Sequence, residues 1–212
     1  GIAGWAEFQR GFVETINLET RKFLDRGKEL FQLAPIRHIR FLDIGSSLPR
    51  LSASPLLARL NAMTMYAQHL GEELAQALVE SPYLGQLQHL NIGRNRIGDR
   101  GVQRLARSPR FDQVRSLDLS DNAIRDAGVR ALAESSHFAN LTKLELRRNE
   151  ITRQGLTNLC SSRTLTNLRQ LGVGLNYIGT PRDVDPPSTR EVSLTSLDLS
   201  ENGVTVESLR EV

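Results

Sequence analysis

The sequence has little cysteine, few aromatic residues and no long apolar run. Its one cysteine, Cys160, cannot form an internal disulfide, and one cysteine with four histidines cannot build a structural zinc site. A membrane-spanning helix needs about 18 or more consecutive apolar residues, and no such run occurs. Glu7, Arg10 and Glu14 are charged residues in a stretch that a signal peptide would keep apolar. We therefore expect no signal peptide, no membrane association and a reducing, cytoplasmic compartment.

Catalytic signatures are also missing. The 212 residues contain no HExxH, no GxxxxGK[ST] and no GxSxG. Lys plus Arg exceeds Asp plus Glu by only three (27 against 24), which is too little to indicate a nucleic-acid binder by itself. Cys160 occupies the slot that Ala106 and Ala133 hold elsewhere, so we expect a small buried apolar residue there rather than a nucleophile. We expect no enzyme activity, no catalytic residue, no metal and no cofactor.

The dominant feature of the sequence is an internal repeat. Residues 87–97 read LxxLxLxxNxI, and four later copies place an asparagine in the same frame. These asparagines are spaced 27, 27, 27 and 26 residues apart: Asn95, Asn122, Asn149, Asn176 and Asn202. Earlier copies keep the apolar skeleton, with Gln68 in the asparagine position of one of them. Eight units result, starting at residues 13, 36, 60, 87, 114, 141, 168 and 194.

Each unit predicts a short strand followed by a helix. The LxL segment alternates with the period of a strand. A glycine six residues after the asparagine and an apolar residue ten after it have helical spacing, as do the apolar residues of 71–80. Repeated stacking of such units predicts an α/β solenoid, a horseshoe with a parallel sheet on its concave face and helices on its convex face.

This eleven-residue pattern resembles the leucine-rich repeat family, and the 27-residue unit is similar to its ribonuclease-inhibitor-like class. The resemblance covers about residues 13–212. Residues 10–18 and 34–40 are similar to the N-terminal part of planctomycete-type bacterial repeat proteins. In those proteins a small companion domain usually precedes this point, and this resemblance implies a bacterial source. The resemblance also implies a protein-binding role.

The ends and two internal segments depart from the repeat. We expect residues 1–35 to form an N-terminal cap of a strand and a helix, on which Trp5 and Phe8 pack, and residues 36–212 to form one solenoid domain. Residues 45–55 are rich in serine and proline and predict a connector in place of a helix. Three prolines predict a loop at 179–190. The chain ends ten residues after Asn202, so we expect a C-terminal end that is truncated or covered.

The motif asparagines are predicted to be structural, because an inward asparagine can bond the backbone of the neighbouring turn. The residues that flank the two inner leucines must instead project from the concave face. The charged and aromatic members of this set are the predicted partner site: His38, Arg40, Tyr66, His89, Arg94, Asp118, Asp121, Lys143, Glu145, Arg147, Arg148, Asp198 and Glu201. We expect Gly172 and Gly174 to leave room there for a partner's side chains.

Two functions compete. The first is a non-catalytic scaffold that binds a partner protein, or another domain of its own assembly, through the concave face, with Arg147, Arg148 and Tyr66 among the anchors. The alternative uses Arg100, Arg104 and Arg107, which have helical spacing and form one stripe on a convex helix. Such a stripe could bind a nucleic-acid backbone or an acidic protein. A solvated outer helix is the simpler explanation of the stripe. The sequence does not name the partner, the pathway or the oligomeric state.

Overall fold

The computed structural model describes residues 5–9, 12–179 and 193–202, and their side chains from residue 15 onward. No helix within this part of the chain is both long and apolar enough to cross a membrane. The loop predicted at 179–190 and the C-terminal end after residue 202 lie outside the described residues, apart from Gly179. The side chains of Trp5 and Phe8 also lie outside them.

The described strands form one sheet in which every strand lies beside its neighbours in the sequence. In chain order they are β1 (Trp5–Gln9), β2 (Phe12–Glu19), β3 (His38–Leu42), β4 (Ala62–Thr64), β5 (His89–Asn91), β6 (Ser116–Asp118), β7 (Lys143–Glu145), β8 (Gln170–Gly172) and β9 (Ser196–Asp198). The eight strands from β2 to β9 are parallel and start at the predicted repeats. The leucine-rich repeat solenoid predicted from the sequence is therefore confirmed. Strand β1, which pairs antiparallel with β2, was not predicted, because it lies outside the repeat period.

A helical segment follows each strand from β2 to β7. These are α1 (Thr20–Leu33), α2 (Leu48–Ser52), α3 (Glu72–Glu80), α4 (Gly98–Ala106), α5 (Asp126–Glu134) and α6 (Arg153–Cys160). Parallel strands need such crossovers, and the helices therefore cover one face of the sheet while the other face stays open. The open face, called the strand face below, is the predicted concave surface.

The expectation of a helix-free connector at 45–55 was wrong. A 3₁₀ turn at Gly45–Ser47 leads directly into α2, and a second 3₁₀ turn covers Pro55–Arg59. Proline is tolerated in the first turn of a helix, and Pro49 stands there. Leu48 and Leu51 then turn inward and are buried, which fixes the short helix on the core.

The repeat leucines form one continuous core. Leu117 and Leu144, at the first inner position of β6 and β7, are both 0% exposed. A second row, not recognised in the sequence, includes Phe111 after α4 and Phe138 after α5, whose rings stack with centroids 6.0 Å apart. Burial of this kind contributes about 1.5–3 kcal/mol per large apolar side chain, so the stacked leucines are the main source of stability.

The motif asparagines are structural, as predicted. Asn122 is fully buried, and its Nδ2 donates to the carbonyls of Ile92 and Leu119. Its Oδ1 accepts from the backbone N–H of Asn95 and of Ile97 in the preceding unit. The same pattern recurs at 27-residue spacing, which satisfies buried backbone groups where the chain turns away from the sheet.

Two further ladders join the helical side of the units. Asp99 Oδ1 accepts from the backbone N–H of Arg125 and Gly128, at 2.8 and 3.0 Å, and so caps the start of α5. Asp126 accepts from Thr152 at the start of α6 in the same way. The serines that follow α5 and α6, Ser135 and Ser162, donate to the carbonyls of Ala106 and Ala133 in the helix of the preceding unit.

Candidate functional site

The strand face carries its side chains in aligned rows because the eight strands are in register. The first residues of neighbouring strands stand side by side, as His89, Ser116 and Lys143 do. The third residues form a middle row that includes Asp118 and Glu145. Two further rows follow the strands, and their backbone groups keep the same alignment through bonds such as Arg94 N to Ser120 O. Every residue predicted for the concave site lies in one of these rows.

A shallow depression of about 280 Å³ occupies the centre of the strand face. It is lined by side chains of β3 to β7, and five predicted site residues are among them: His38, His89, Asp118, Lys143 and Glu145. Thr64, Asn91 and Ser116 complete its polar wall. Arg40, Tyr66 and the charged residues that follow the strands do not line the depression. The predicted site is therefore brought together in part.

Several of the lining groups already bond one another. His38 Nε2 lies 2.9 Å from Thr64 Oγ1, and Asn91 Nδ2 donates to Asp118 Oδ2 at 2.8 Å. The second oxygen of Asp118 accepts from the backbone and hydroxyl of Ser120. This network fixes the floor of the depression before any ligand arrives.

Two titratable groups of the depression have displaced pKa values. Burial is the main cause of a raised pKa at the Glu145 carboxyl, and the negative charges of Asp118 and Asp198 add to it. Burial also lowers the pKa of the His89 imidazole, with the positive charge of Arg115 as a second cause. Both causes favour the uncharged form of His89, which makes the early part of the face less basic than the residue types suggest.

The glycines of the strand face do not leave open space, contrary to expectation. A Cβ at Gly172 would collide with the carboxylate of Glu145, which leans over it from the preceding strand. A Cβ at Gly174 would stand 3.0 Å from Nη1 of Arg147. Each glycine accommodates a long side chain of its own protein, and the room expected for a partner is already filled.

Gly93 has the same relation to Tyr66. A Cβ there would approach the Tyr66 ring to 3.1 Å, so the ring lies on the bare backbone of the next unit. The ring is held by this contact, yet Tyr66 remains 43% exposed. An aromatic ring that is fixed and accessible needs little ordering on binding. The sequence indicated Tyr66 but not the backbone of Gly93 that supports its ring. A bulky residue 27 positions before a glycine is the signal that could have indicated this contact.

Arginine side chains of the face differ in their availability. Arg147 donates to Ser200 and Glu201 at 3.0 and 2.6 Å and lies 3.5 Å from Asp198. It is therefore bound within the chain, although the sequence suggested it as an anchor. Arg94 and Arg148 only flank Asp121, at 3.6 and 4.0 Å, and their side chains are more than half exposed.

The residues beside the motif asparagines have an unusual backbone. Arg94, Asp121, Arg148 and Glu201 all have φ between 53° and 60°, the left-handed region that non-glycine residues rarely adopt. The asparagine ladder holds this turn in each unit, and the turn directs four predicted site residues away from the core. Sequence reasoning gave no hint of this, because none of these positions is a glycine.

The alternative stripe is also formed. Arg100, Arg104 and Arg107 are exposed along the outer side of α4 and its end, on the opposite face from the depression. The thiol of Cys160 is only partly buried, and burial raises its pKa. Within the described residues, no cluster of three or more histidine, cysteine or acidic side chains could hold a metal ion.

Comparison with known families decides the identity of the array. The family described as "Leucine Rich repeat" matches residues 87–106, 114–133, 139–160 and 192–212. The first three of these matches coincide with a strand and the helix that follows it. The chain is a leucine-rich repeat protein. The sequence matches none of the curated proteins with which it was compared.

Solved structures similar to this leucine-rich repeat protein include two larger chains. One is from a crystal structure of a TLR13–ssRNA13 complex, with 17% identity and a TM-score of 0.46 over 79% of this chain and 26% of that chain. The other is an internalin (inlF) from Listeria monocytogenes str. 4b F2365, with 20% identity and a TM-score of 0.43 over 83% of this chain and 56% of that chain. The leucine-rich repeat protein thus spans about a quarter of the first chain and little more than half of the second.

Proposed function

We propose that this leucine-rich repeat protein is a non-catalytic scaffold that binds a partner protein, or another domain of its own assembly, through the strand face. The observation that carries the proposal is the exposed set of Tyr66, Arg94 and Arg148 on the strand face. Tyrosine and arginine are the residue types that most often dominate binding energy at interfaces. All three are more than 40% exposed in the described structure.

The rigidity of the support favours recognition over catalysis. The Tyr66 ring rests on Gly93, and the two arginines stand on turns held by Asn95 and Asn149. Side chains that are ordered before binding lose less conformational entropy in the complex, which increases affinity for a given contact area. The depression on the same face offers hydrogen-bonding groups that are already oriented.

The charges on this face favour a partner surface that carries both positive and negative groups. The depression contributes Asp118, Glu145 and Lys143, whereas the turns that follow β5 and β7 contribute Arg94 and Arg148. Such an arrangement favours one register of binding, because a shifted partner would meet like charges. We therefore expect charged contacts to contribute more to specificity than buried apolar area does, so that added salt reduces the specificity.

Photo-crosslinking in the source cells tests the binding face. A photoreactive phenylalanine at position 66, 94 or 148 samples the strand face, and the same group at 76, 130 or 163 samples the helical side. We expect one partner to be captured from the strand-face positions alone, and to bind again when both proteins are purified. Equal capture of that same partner from the two sides, or no capture from the strand-face positions, would contradict the proposal.

The cell compartment is a separate part of the proposal. We propose a bacterial protein of the reducing cytoplasm, supported by a single cysteine that has no pairing partner in the sequence. A thiol-alkylation assay on intact and lysed cells tests this. Labelling of Cys160 by a membrane-impermeant reagent before lysis would contradict it.

A further inference from the structure

A second charged surface lies on the helical side, far from the strand face. Helix α4 and the residue after it place Arg100, Arg104 and Arg107 along one line, about 10 Å long at 1.5 Å per residue. All three side chains are exposed. Within the described part of the chain none of them has a hydrogen bond or ion pair. Their positive charge is therefore uncompensated at contact distance.

Helix stability does not account for the first of these arginines. Cations near a helix C-terminus are favourable, which explains Arg104 and Arg107. Arg100 stands in the first turn, where a positive charge is unfavourable. The residue 27 positions earlier, Glu73 of α3, follows the electrostatic preference, and Ala127 of α5 is neutral. A stretch that departs from local preference is where a binding role is expected.

The acidic residue of α4 does not neutralise the stripe either. Asp99 is the sole acid of that helix, and its Oδ1 is occupied by the backbone N–H groups of Arg125 and Gly128. This carboxylate faces the next unit, so its hydrogen bonds stabilise the stacking of α5. The arginines are left to an external partner.

The neighbouring helices limit the width of that partner. Ala77 and Ala131 stand beside Arg104 on the two sides, so the arginines form a ridge above small, half-buried residues. Glu80 of α3 and Glu134 of α5 occupy the positions that correspond to Arg107 in the two neighbouring units. Adjacent helices lie about 8–10 Å apart, close to one Debye length in physiological salt. A polyanion that crossed several helices would therefore meet repulsion on both sides.

We infer that the arginine ridge docks a short acidic helix of a partner protein that lies along α4. Carboxylates at positions i, i+4 and i+7 of such a helix match the spacing of Arg100, Arg104 and Arg107. The narrow partner avoids Glu80 and Glu134, whereas a nucleic-acid backbone does not. This docking surface is separate from the strand face and does not depend on the function proposed for it.

Fluorescence anisotropy with two synthetic peptides tests the inference. Both are helical and 15 residues long with the same composition, but one places three glutamates at i, i+4 and i+7 and the other distributes them around the helix. We expect the first peptide to bind the intact chain about fivefold or more tightly than the second. Substitution R100Q with R104Q and R107Q should weaken its binding about tenfold, since three exposed ion pairs are lost.

A matched variant controls for net charge. Arg21→Gln with Arg163→Gln and Arg169→Gln removes three charges away from α4 and its neighbouring helices and should leave binding of the first peptide within about twofold. Equal loss in both variants would overturn the inference in favour of unspecific charge attraction. Equal binding of the two peptides would also overturn it. If a 20-nucleotide oligothymidylate binds more tightly than the first peptide, and this binding is lost in the variant R100Q with R104Q and R107Q, the ridge binds nucleic acid and the inference is overturned.

Discussion

The guanidinium of Arg147 donates from Nη2 to Oε1 of Glu201 at 2.6 Å, across 54 positions of the sequence. The same side chain passes over Gly174 and reaches Ser200 with its other nitrogen. It therefore connects the unit of β7 to the unit of β9 and bridges the intervening unit. This contact links a basic and an acidic residue of the predicted partner site that lie two units apart.

Arg147 and Arg148 are therefore expected to respond differently to substitution. Arg147→Ala should destabilise the unit of β9 by about 0.5–1 kcal/mol, because the exposed ion pair is partly screened by water. Arg148→Ala should leave that unit unchanged. Hydrogen exchange of the Val173 amide, which donates to Asp198 O, measures the difference. Faster exchange in both variants, or in neither, would contradict this assignment.

The asparagine ladder should be the most sensitive polar feature of the fold. Asn122→Ala leaves the backbone groups of Asn95, Ile97 and Leu119 buried without their partner, which should lower the free energy of unfolding by about 3 kcal/mol or more. The control Asn140→Ala removes one exposed bond to Asp112 O and should cost less than about 1 kcal/mol. Urea unfolding compares the two. Similar midpoints for both variants would contradict a structural ladder.

Gly155 should tolerate no side chain, although helix propensity alone predicts the opposite. Alanine in a helix is favoured over glycine by about 1 kcal/mol. A Cβ at Gly155 would nevertheless collide with Asp126, which caps α6 through Thr152. We expect Gly155→Ala to destabilise the protein by about 1–3 kcal/mol in thermal unfolding. Gly85→Ala, where nothing lies within 4 Å, should change stability by less than about 0.5 kcal/mol. Stabilisation by Gly155→Ala would contradict the clash.

Glu145 should make stability depend on pH. Its raised folded-state pKa means that the folded protein holds a proton more tightly than the unfolded chain does. Stability therefore falls as pH rises from the usual glutamate range through the raised value. Glu145→Gln should raise the melting temperature at pH 7. The gain in the free energy of unfolding should be less than about 1 kcal/mol, because the carboxylate is half exposed. The gain should vanish below about pH 4. A gain that persists in acid would contradict the electrostatic cause.

The repeat period allowed most of the fold to be predicted. A position such as Leu117 or Asn122 recurs in five copies, so its inward direction follows from the pattern alone. The period also placed the strand-face residues in their rows. The helix within residues 45–55 was not predicted, because the local composition resembles that of a loop. The burial of Leu48 and Leu51 determines the short helix instead.

Details of the candidate site depended on neighbouring units. That Glu145 covers Gly172, or that Arg147 is occupied by Glu201, follows from contacts between positions 27 and 54 residues apart. A single sequence gives residue types at these positions but not the direction in which a long side chain leans. The left-handed turn at Arg94 was equally hidden, since it is imposed by the asparagine ladder rather than by a glycine.

Calorimetric titration of the partner captured through position 66 is the most direct test of the strand face as a binding surface. The account predicts that Tyr66→Ala with Arg94→Ala and Arg148→Ala weakens binding about 100-fold or more, with the melting temperature unchanged. A matched helical-side variant, Gln76→Ala with Arg130→Ala and Arg163→Ala, should bind like the intact protein. Full affinity in the strand-face variant, together with a loss in the helical-side variant, would contradict the account.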